Sequence, residues 1–227
     1  VICIFGKNLT GENDVFINNE LLVRSLVAMP NHLTFDKFQE ICEITSKVTT
    51  MEVLDYLVNS GIGQLSHGSV LFSIKDKLNT ILLAMDKGCD AQGISKKIQW
   101  NDFELFASQL IESAGYSFES NVVLTKPRLQ IDVIGFYQKT AILVDCKHWM
   151  KIHGHNIAKF SSNQIRRAEI FLDKRKDIES AIPIIVTLHD HDCNFFDRVP
   201  IVPISKFKEF LQNFPFYLDR LHIIQNN

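Results

Sequence analysis

The chain has 227 residues, 46% hydrophobic and 22% charged, with a formal net charge of −2. That composition excludes disordered and fibrous architectures, and near-neutrality excludes a polyanion-binding surface spread over the whole molecule. The length suits two domains of roughly 100–150 residues better than one. No apolar run approaches the roughly 18 residues of a membrane helix. The opening residues lack the basic and apolar regions of a signal peptide, and Val1 implies a trimmed start. Five scattered cysteines (Cys3, Cys42, Cys89, Cys146, Cys193) contain no Cys-x-x-Cys pair, which predicts reduced thiols and a cytoplasmic location.

In chain order, Leu21–Met29 reads as a short apolar helix stopped by Pro30. Thr34 caps a second helix carrying Phe35, Phe38, Ile41 and Cys42. Thr49 or Thr50 caps a third, with Met51, Leu54 and Leu57 or Val58 inward, ended by Gly61. Ile62–Leu65 and Val70–Ile74 flank the turn Ser66-His67-Gly68 as two short strands, and Leu78–Met85 is a further helix. Periodicity lapses over Gly88–Lys97, which places a boundary there: residues 1–97 and 98–227 form separate domains. The order helix, helix, helix, two-stranded wing, helix resembles a winged helix-turn-helix domain. Such domains read DNA with the second helix of the turn motif. Here that helix, Thr50–Ser60, carries Glu52 and Asp55 and no Lys or Arg. Acidic groups repel phosphate, so weak duplex binding is expected, and dimerisation or packing stays open as its role.

The second half opens with a helix from Asn101. Phe103, Phe106, Ala107, Leu110, Ile111 and Ala114 fall at i, i+3, i+4, i+7, i+8 and i+11 before Gly115. Strands follow over Tyr116–Leu124, Arg128–Phe136 and Thr140–Cys146, then a basic helix of about Ser161–Lys176. Ala181–Leu188 is apolar throughout, as a strand buried on both faces would be. A strand Val199–Ile204 and a helix Ser205–Phe214 complete an α/β fold: an αβββαβ sandwich with a mixed central sheet.

Within the Leu129–Ile134 strand sits Asp132, and Asp145-Cys146-Lys147 ends the next strand, Ala141–Val144. Side chains alternate along a strand, so Asp145 and Lys147 share one face and Cys146 points to the other. Carboxylates inside strands are costly unless paired or metal-bound. Two acids and a lysine on adjoining strands make a hard oxygen site for Mg²⁺ with a cation beside it. Downstream, Lys147 to Lys176 holds eight basic residues against Glu169 and Asp173, a local excess that suits a phosphate-rich ligand. His148, His153 and His155 fall in or beside the loop of that segment. His189-Asp190-His191-Asp192-Cys193 lacks the paired spacing of structural zinc sites and reads as a polar loop.

This pattern resembles the PD-(D/E)xK nuclease superfamily, with its restriction-endonuclease-like fold, over roughly residues 98–215. Helix-borne Glu104, then Asp132, then Asp145-x-Lys147 match that family's ordered acids and lysine, and Gln164 falls where several subfamilies carry a functional glutamine. Archaeal Holliday junction resolvases and the catalytic domains of modification-dependent restriction enzymes are the most similar branches. Ile131 replaces the frequent proline before the first acid, and Ala168 stands where one branch has tyrosine. The resemblance implies a Mg²⁺-dependent DNA endonuclease, with Mn²⁺ as a substitute and no nucleotide cofactor, leaving 5′-phosphate ends. It implies metal ligation by Asp132, Asp145, the Cys146 carbonyl and Glu104, and a transition-state role for Lys147. Lys159, Arg166, Arg167, Lys174, Arg175 and Lys176 would follow the DNA backbone, and a resolvase-like activity would call for a homodimer. Other readings stay open. Glu104 follows Asn101 by three residues, as the third helical residue of a capping box does; Gln164 can be an exposed helical residue. The whole can also be a non-catalytic DNA-binding or dimerisation module.

Overall fold

The computed structural model describes residues 6–7, 13–14, 17–147, 154–188, 190 and 194–226. The chain divides into two compact units, Val1–Ile98 and Gln99–Asn227.

In the first unit, β1 (Gly6–Lys7) and β2 (Asn13–Asp14) pair antiparallel. They precede α1 (Asn19–Ser25), which Asn18 caps by accepting the Glu20 N–H at 2.8 Å; a 3₁₀ turn, Leu26–Ala28, carries it towards Pro30. Next come β3 (His32–Thr34), α2 (Phe35–Ile41), α3 (Lys47–Asn59), β4 (Gln64–Ser66), β5 (Ser69–Leu71), α4 (Ile74–Asp86) and α5 (Ala91–Ser95). The strands form an antiparallel sheet in the order β3-β5-β4. Strand β3 has no counterpart in the sequence pattern, because three residues show no alternation. Thr34 pairs with Ser69 and also caps α2, its hydroxyl accepting the Lys37 N–H.

Helix α3 is capped by Ser46 rather than by Thr49 or Thr50. Its buried stripe is Thr50, Val53, Leu54 and Leu57, so Met51 faces outward with Val48 and Asp55, and Glu52 is half-buried. A polar residue takes a core position here because the Thr50 hydroxyl donates to the Ser46 carbonyl at 2.9 Å. At the hairpin's base, Asp76 accepts the N–H groups of Gly63 and Ser73 at 3.0 and 2.7 Å. Gly63, with φ +79°, permits this approach: a Cβ there would lie 2.6 Å from the Phe72 ring.

The second unit is built from α6 (Trp100–Ser113), β6 (Ser117–Leu124), β7 (Leu129–Tyr137), β8 (Thr140–Lys147), α7 (Gly154–Lys174), β9 (Ser180–Thr187), β10 (Phe195–Phe196), β11 (Val199–Pro203), α8 (Ile204–Gln212), a 3₁₀ segment Phe214–Arg220 and β12 (Ile224–Gln225). It is a mixed α/β unit around a seven-stranded sheet in the order β10-β11-β9-β8-β7-β6, with β12 also on β9. Strands β6, β7 and β8 run antiparallel; β8, β9 and β11 run parallel. Pro183 sits inside β9 without harm because it falls between Ala181, which pairs with β12, and Ile185, which pairs with β11. Helix α7 begins about two turns earlier than its apolar pattern suggests. None of the described helices is long and apolar enough to cross a membrane.

The sheet is covered on both faces. Ala168, Phe171 and Leu172 of α7 pack with Ile134, Leu143 and Ala181, each of the larger side chains contributing about 1.5–3 kcal/mol by burial. On the other face, Gly135 gives α6 a bare stretch of backbone: a Cβ there would lie 3.1 Å from Ile111 Cγ2. This close approach sets the height of α6 over β7.

One irregularity positions the site. The β6–β7 ladder pairs Ser120 with Val133 and Val122 with Ile131 but skips the facing residues Asn121 and Asp132. Asn121 has φ +54°. Ile131 and Ile134, three apart, both join the core under α7, so strand alternation reverses at Asp132.

Candidate active site

Asp132 is released from the ladder, and the β7–β8 pairing ends one step away at Val133–Val144, which leaves Asp132 facing Asp145. Its carboxylate takes over the role of a backbone acceptor: Asp132 Oδ2 accepts the Cys146 N–H at 2.8 Å. A strand residue directs its N–H and C=O to the same side, so the Cys146 carbonyl also points towards Asp132. Burial, then the facing Asp145, pushes the Asp132 carboxyl up to about 6; Glu104 adds to this, and the Cys146 N–H and Lys147 oppose it. The Cys146 side chain is fully buried, and burial holds its thiol well above the ordinary range, so its contribution to the site is its main chain.

Asp145 is only 3% exposed. Its Oδ1 accepts hydrogen bonds from Lys147 Nζ at 2.9 Å and Arg167 Nη1 at 2.8 Å. Its Oδ2 lies 2.8 Å from Lys147 Nζ but at an angle that makes no hydrogen bond, and it is buried. Lys147, as expected, shares the Asp145 face. Its ammonium lies 5.9 Å from the Trp100 ring centre and 5.4 Å from that of Phe160, within cation–π range of both.

Glu104 is buried on α6 and accepts a hydrogen bond from the Trp100 indole N–H one turn earlier. The capping-box role falls elsewhere: α6 begins at Trp100, and Asp102 accepts the Gln99 N–H at 3.2 Å. Gln164 is fully buried, not an exposed helical residue. It donates to the carbonyls of Leu143 (2.7 Å) and Ile184 (3.4 Å) and accepts from Arg167 at 3.1 Å.

The basic residues of α7 and of the turn that follows it divide. Lys159 and Arg166 are exposed. Arg167 turns inward to Asp145. Lys174 donates to the Thr125 carbonyl at 2.6 Å, Lys176 lies 3.5 Å from Asp173, and Arg175 pairs with Asp177 and Glu119 while lying over the rings of Phe136 and Phe171. The side chains of His148, Lys151, His153, His155, His189, His191, Asp192 and Cys193 lie outside the described residues; Asp190 is exposed and pairs with Lys206 at 3.0 Å. Among the described residues, no three His, Cys, Asp or Glu side chains converge tightly enough to hold a metal ion by themselves.

The sequence reading misses two partners: Trp100, which falls one residue before the expected helix start at Asn101, and Arg167, which reads as a backbone contact. Both lie at helical spacing from a residue already singled out, Trp100 four before Glu104 and Arg167 three after Gln164.

No family model matches the chain. An uncharacterized protein of Archaeoglobus fulgidus is 26% identical over 129 residues, covering 53% of this chain and 95% of that protein. Among solved structures, protein VC1899 from Vibrio cholerae superposes with TM-score 0.35 and 11% identity over 89% of this chain; this chain spans about half, 51%, of that protein. The small subunit of the heterodimeric restriction endonuclease R.BspD6I gives 0.37 and 17%, covering 59% of this chain and 76% of that one. Can2 from Sulfobacillus thermosulfidooxidans, in complex with cyclic tetra-adenylate, gives 0.32 and 10%, covering 88% and 51%.

Proposed function

We propose that the second unit is a restriction-endonuclease-like, Mg²⁺-dependent DNA endonuclease, with Mn²⁺ as an alternative ion. One observation carries this reading: Asp132 and Asp145 face each other where the ladder opens, with the Cys146 main chain between them and a buried Asp145 oxygen that accepts no hydrogen bond. The donors fit the ion. Mg²⁺ prefers oxygen and is commonly held by one or two carboxylates, the rest of its shell being water and phosphate. Asp132, Asp145 Oδ2 and the Cys146 carbonyl would hold it, which needs no third acidic side chain; Glu104, tied to Trp100, would act through water. When bound, the metal supplies an activated water and charge neutralisation at the scissile phosphate. Lys147, held by Asp145 between two aromatic faces, would donate to the developing negative charge. Lys159 and Arg166 would track the DNA backbone, and cleavage would leave 5′-phosphate and 3′-hydroxyl ends.

The first unit is read as winged-helix-like, supported by its order of helix, strand, two helices and hairpin. Its outward α3 residues Val48, Met51 and Asp55, with Lys47 paired to Asp36 at 3.2 Å, suit a role in substrate selection or homodimer contact better than phosphate binding. Cleavage assayed on duplex, single-stranded, flap and four-way-junction DNA, with Mg²⁺ against EDTA, tests the proposal. Metal-dependent cleavage of any of them supports it, and inertness towards all sinks it. A non-catalytic binding module is the second reading. It draws on the two cations that neutralise Asp145 and predicts DNA binding without nicking.

A further inference from the structure

The Arg167 side chain does not stand on an open, DNA-facing side of α7: it is 26% exposed, and its Nη1 donates to Asp145 Oδ1 at 2.8 Å. The same nitrogen donates to Gln164 Oε1 at 3.1 Å. Gln164 has no freedom to turn its amide over: its nitrogen faces the carbonyls of Leu143 and Ile184, and its oxygen faces a guanidinium that only donates. The hydrogen bonds run from the main chain of β8 and β9, through Gln164 and Arg167, to one oxygen of Asp145. The other oxygen, Oδ2, is buried and takes no hydrogen bond; its near neighbour is the Lys147 ammonium at 2.8 Å, which would have to yield part of that side to a metal ion. Neither Gln164 nor Arg167 is needed to neutralise Asp145, because Lys147 already lies 2.8 Å from it.

We infer that Arg167, anchored by Gln164, is a positioning residue that fixes the Asp145 carboxylate with Oδ2 presented to the metal, and is not a DNA-backbone contact. This rests on the nuclease reading above. Residues that orient a metal-ligating carboxylate typically change metal affinity or activity by about 10–100-fold when removed. A phosphate contact would instead change DNA affinity and its salt dependence.

The test compares full-length wild type with Arg167→Ala, Arg167→Lys and Arg166→Ala. Three readouts are taken: Mn²⁺ affinity without DNA, by electron paramagnetic resonance; DNA affinity against salt in EDTA; and kcat with Mg²⁺. Arg167→Ala should lower Mn²⁺ affinity and kcat by about 10-fold or more while leaving DNA affinity and its salt slope unchanged. Arg167→Lys should recover part of both losses, because an ammonium keeps the charge but is a flexible, strongly hydrated point charge in place of a rigid planar donor. Arg166→Ala should lower DNA affinity and reduce the log-log salt slope by about 0.9 while leaving DNA-free Mn²⁺ affinity unchanged. If wild type binds Mn²⁺ and cleaves, but Arg167→Ala keeps both and loses DNA affinity, the positioning role is overturned and the nuclease reading stands. If wild type neither binds Mn²⁺ nor cleaves, the nuclease reading falls, and this inference falls with it.

Discussion

Asp132→Asn should make the metal-free protein more stable at neutral pH and leave its stability at pH 4 almost unchanged. The unfolded chain releases the Asp132 proton near 3.8, whereas the folded chain keeps it up to about 6. Between those values the native state holds the extra proton, so rising pH removes stability across that window, and the loss is complete above it. At about 1.4 kcal/mol per pH unit the loss reaches about 3 kcal/mol by pH 7.5. Asparagine carries no charge to bury beside Asp145, and its carbonyl can still accept the Cys146 N–H. For a unit the size of Gln99–Asn227, about 3 kcal/mol corresponds to a rise of roughly 10 °C in the Tm of its transition. Calorimetric unfolding of wild type and variant from pH 4 to pH 8 in EDTA measures it, and separates the transitions of the two units. Added Mg²⁺ should shrink the difference by stabilising wild type alone. A variant no more stable than wild type at pH 7.5, or one stabilised equally at pH 4, would refute the claim that Asp132 is a strained carboxylate awaiting a cation.

Lys147→Ala should lower turnover by about 100-fold or more with little change in DNA affinity, as removing a single transition-state interaction does; equal falls in both would make Lys147 a phosphate contact, read by single-turnover kinetics beside equilibrium binding. Replacing Lys159 and Arg166 together by Ala should lessen the salt slope of duplex binding by about 0.9 for each phosphate they neutralise. Arg175→Ala should leave that slope alone and lower Tm, because Arg175 is held by Glu119, Asp177 and two aromatic rings.

The strands that carry Asp132 and Asp145 can be read from their apolar runs, and the alternation of Asp145, Cys146 and Lys147 places those side chains on the correct faces. Strict alternation fails at Asp132 itself. The reversal coincides with Asn121, at φ +54°, opposite it in β6, and a pattern local to β7 carries no record of that neighbour. The basic segment Lys147–Lys176 looks like one surface because composition records charge but not direction. The helical angle separates outward Lys159 and Arg166 from inward Arg167, and only packing against β8 decides which angle faces in. On α3 the apolar pattern puts Met51 inward, because a threonine is too polar for the core until its hydroxyl finds the Ser46 carbonyl. Glu104 is legible from its order relative to the later acids, but its partner Trp100 is not, because an indole N–H leaves no trace in hydrophobic periodicity.

In the proposed function, Asp132 and Asp145 make a metal-dependent phosphodiester-cleaving site. Nicking of supercoiled plasmid by full-length wild type, Asp132→Ala and Asp145→Ala, each with Mg²⁺ and with EDTA, tests it most directly. Wild type should nick with Mg²⁺ and not with EDTA, and neither variant should nick at matched folding. Nicking that persists in EDTA, or in either variant, would contradict it.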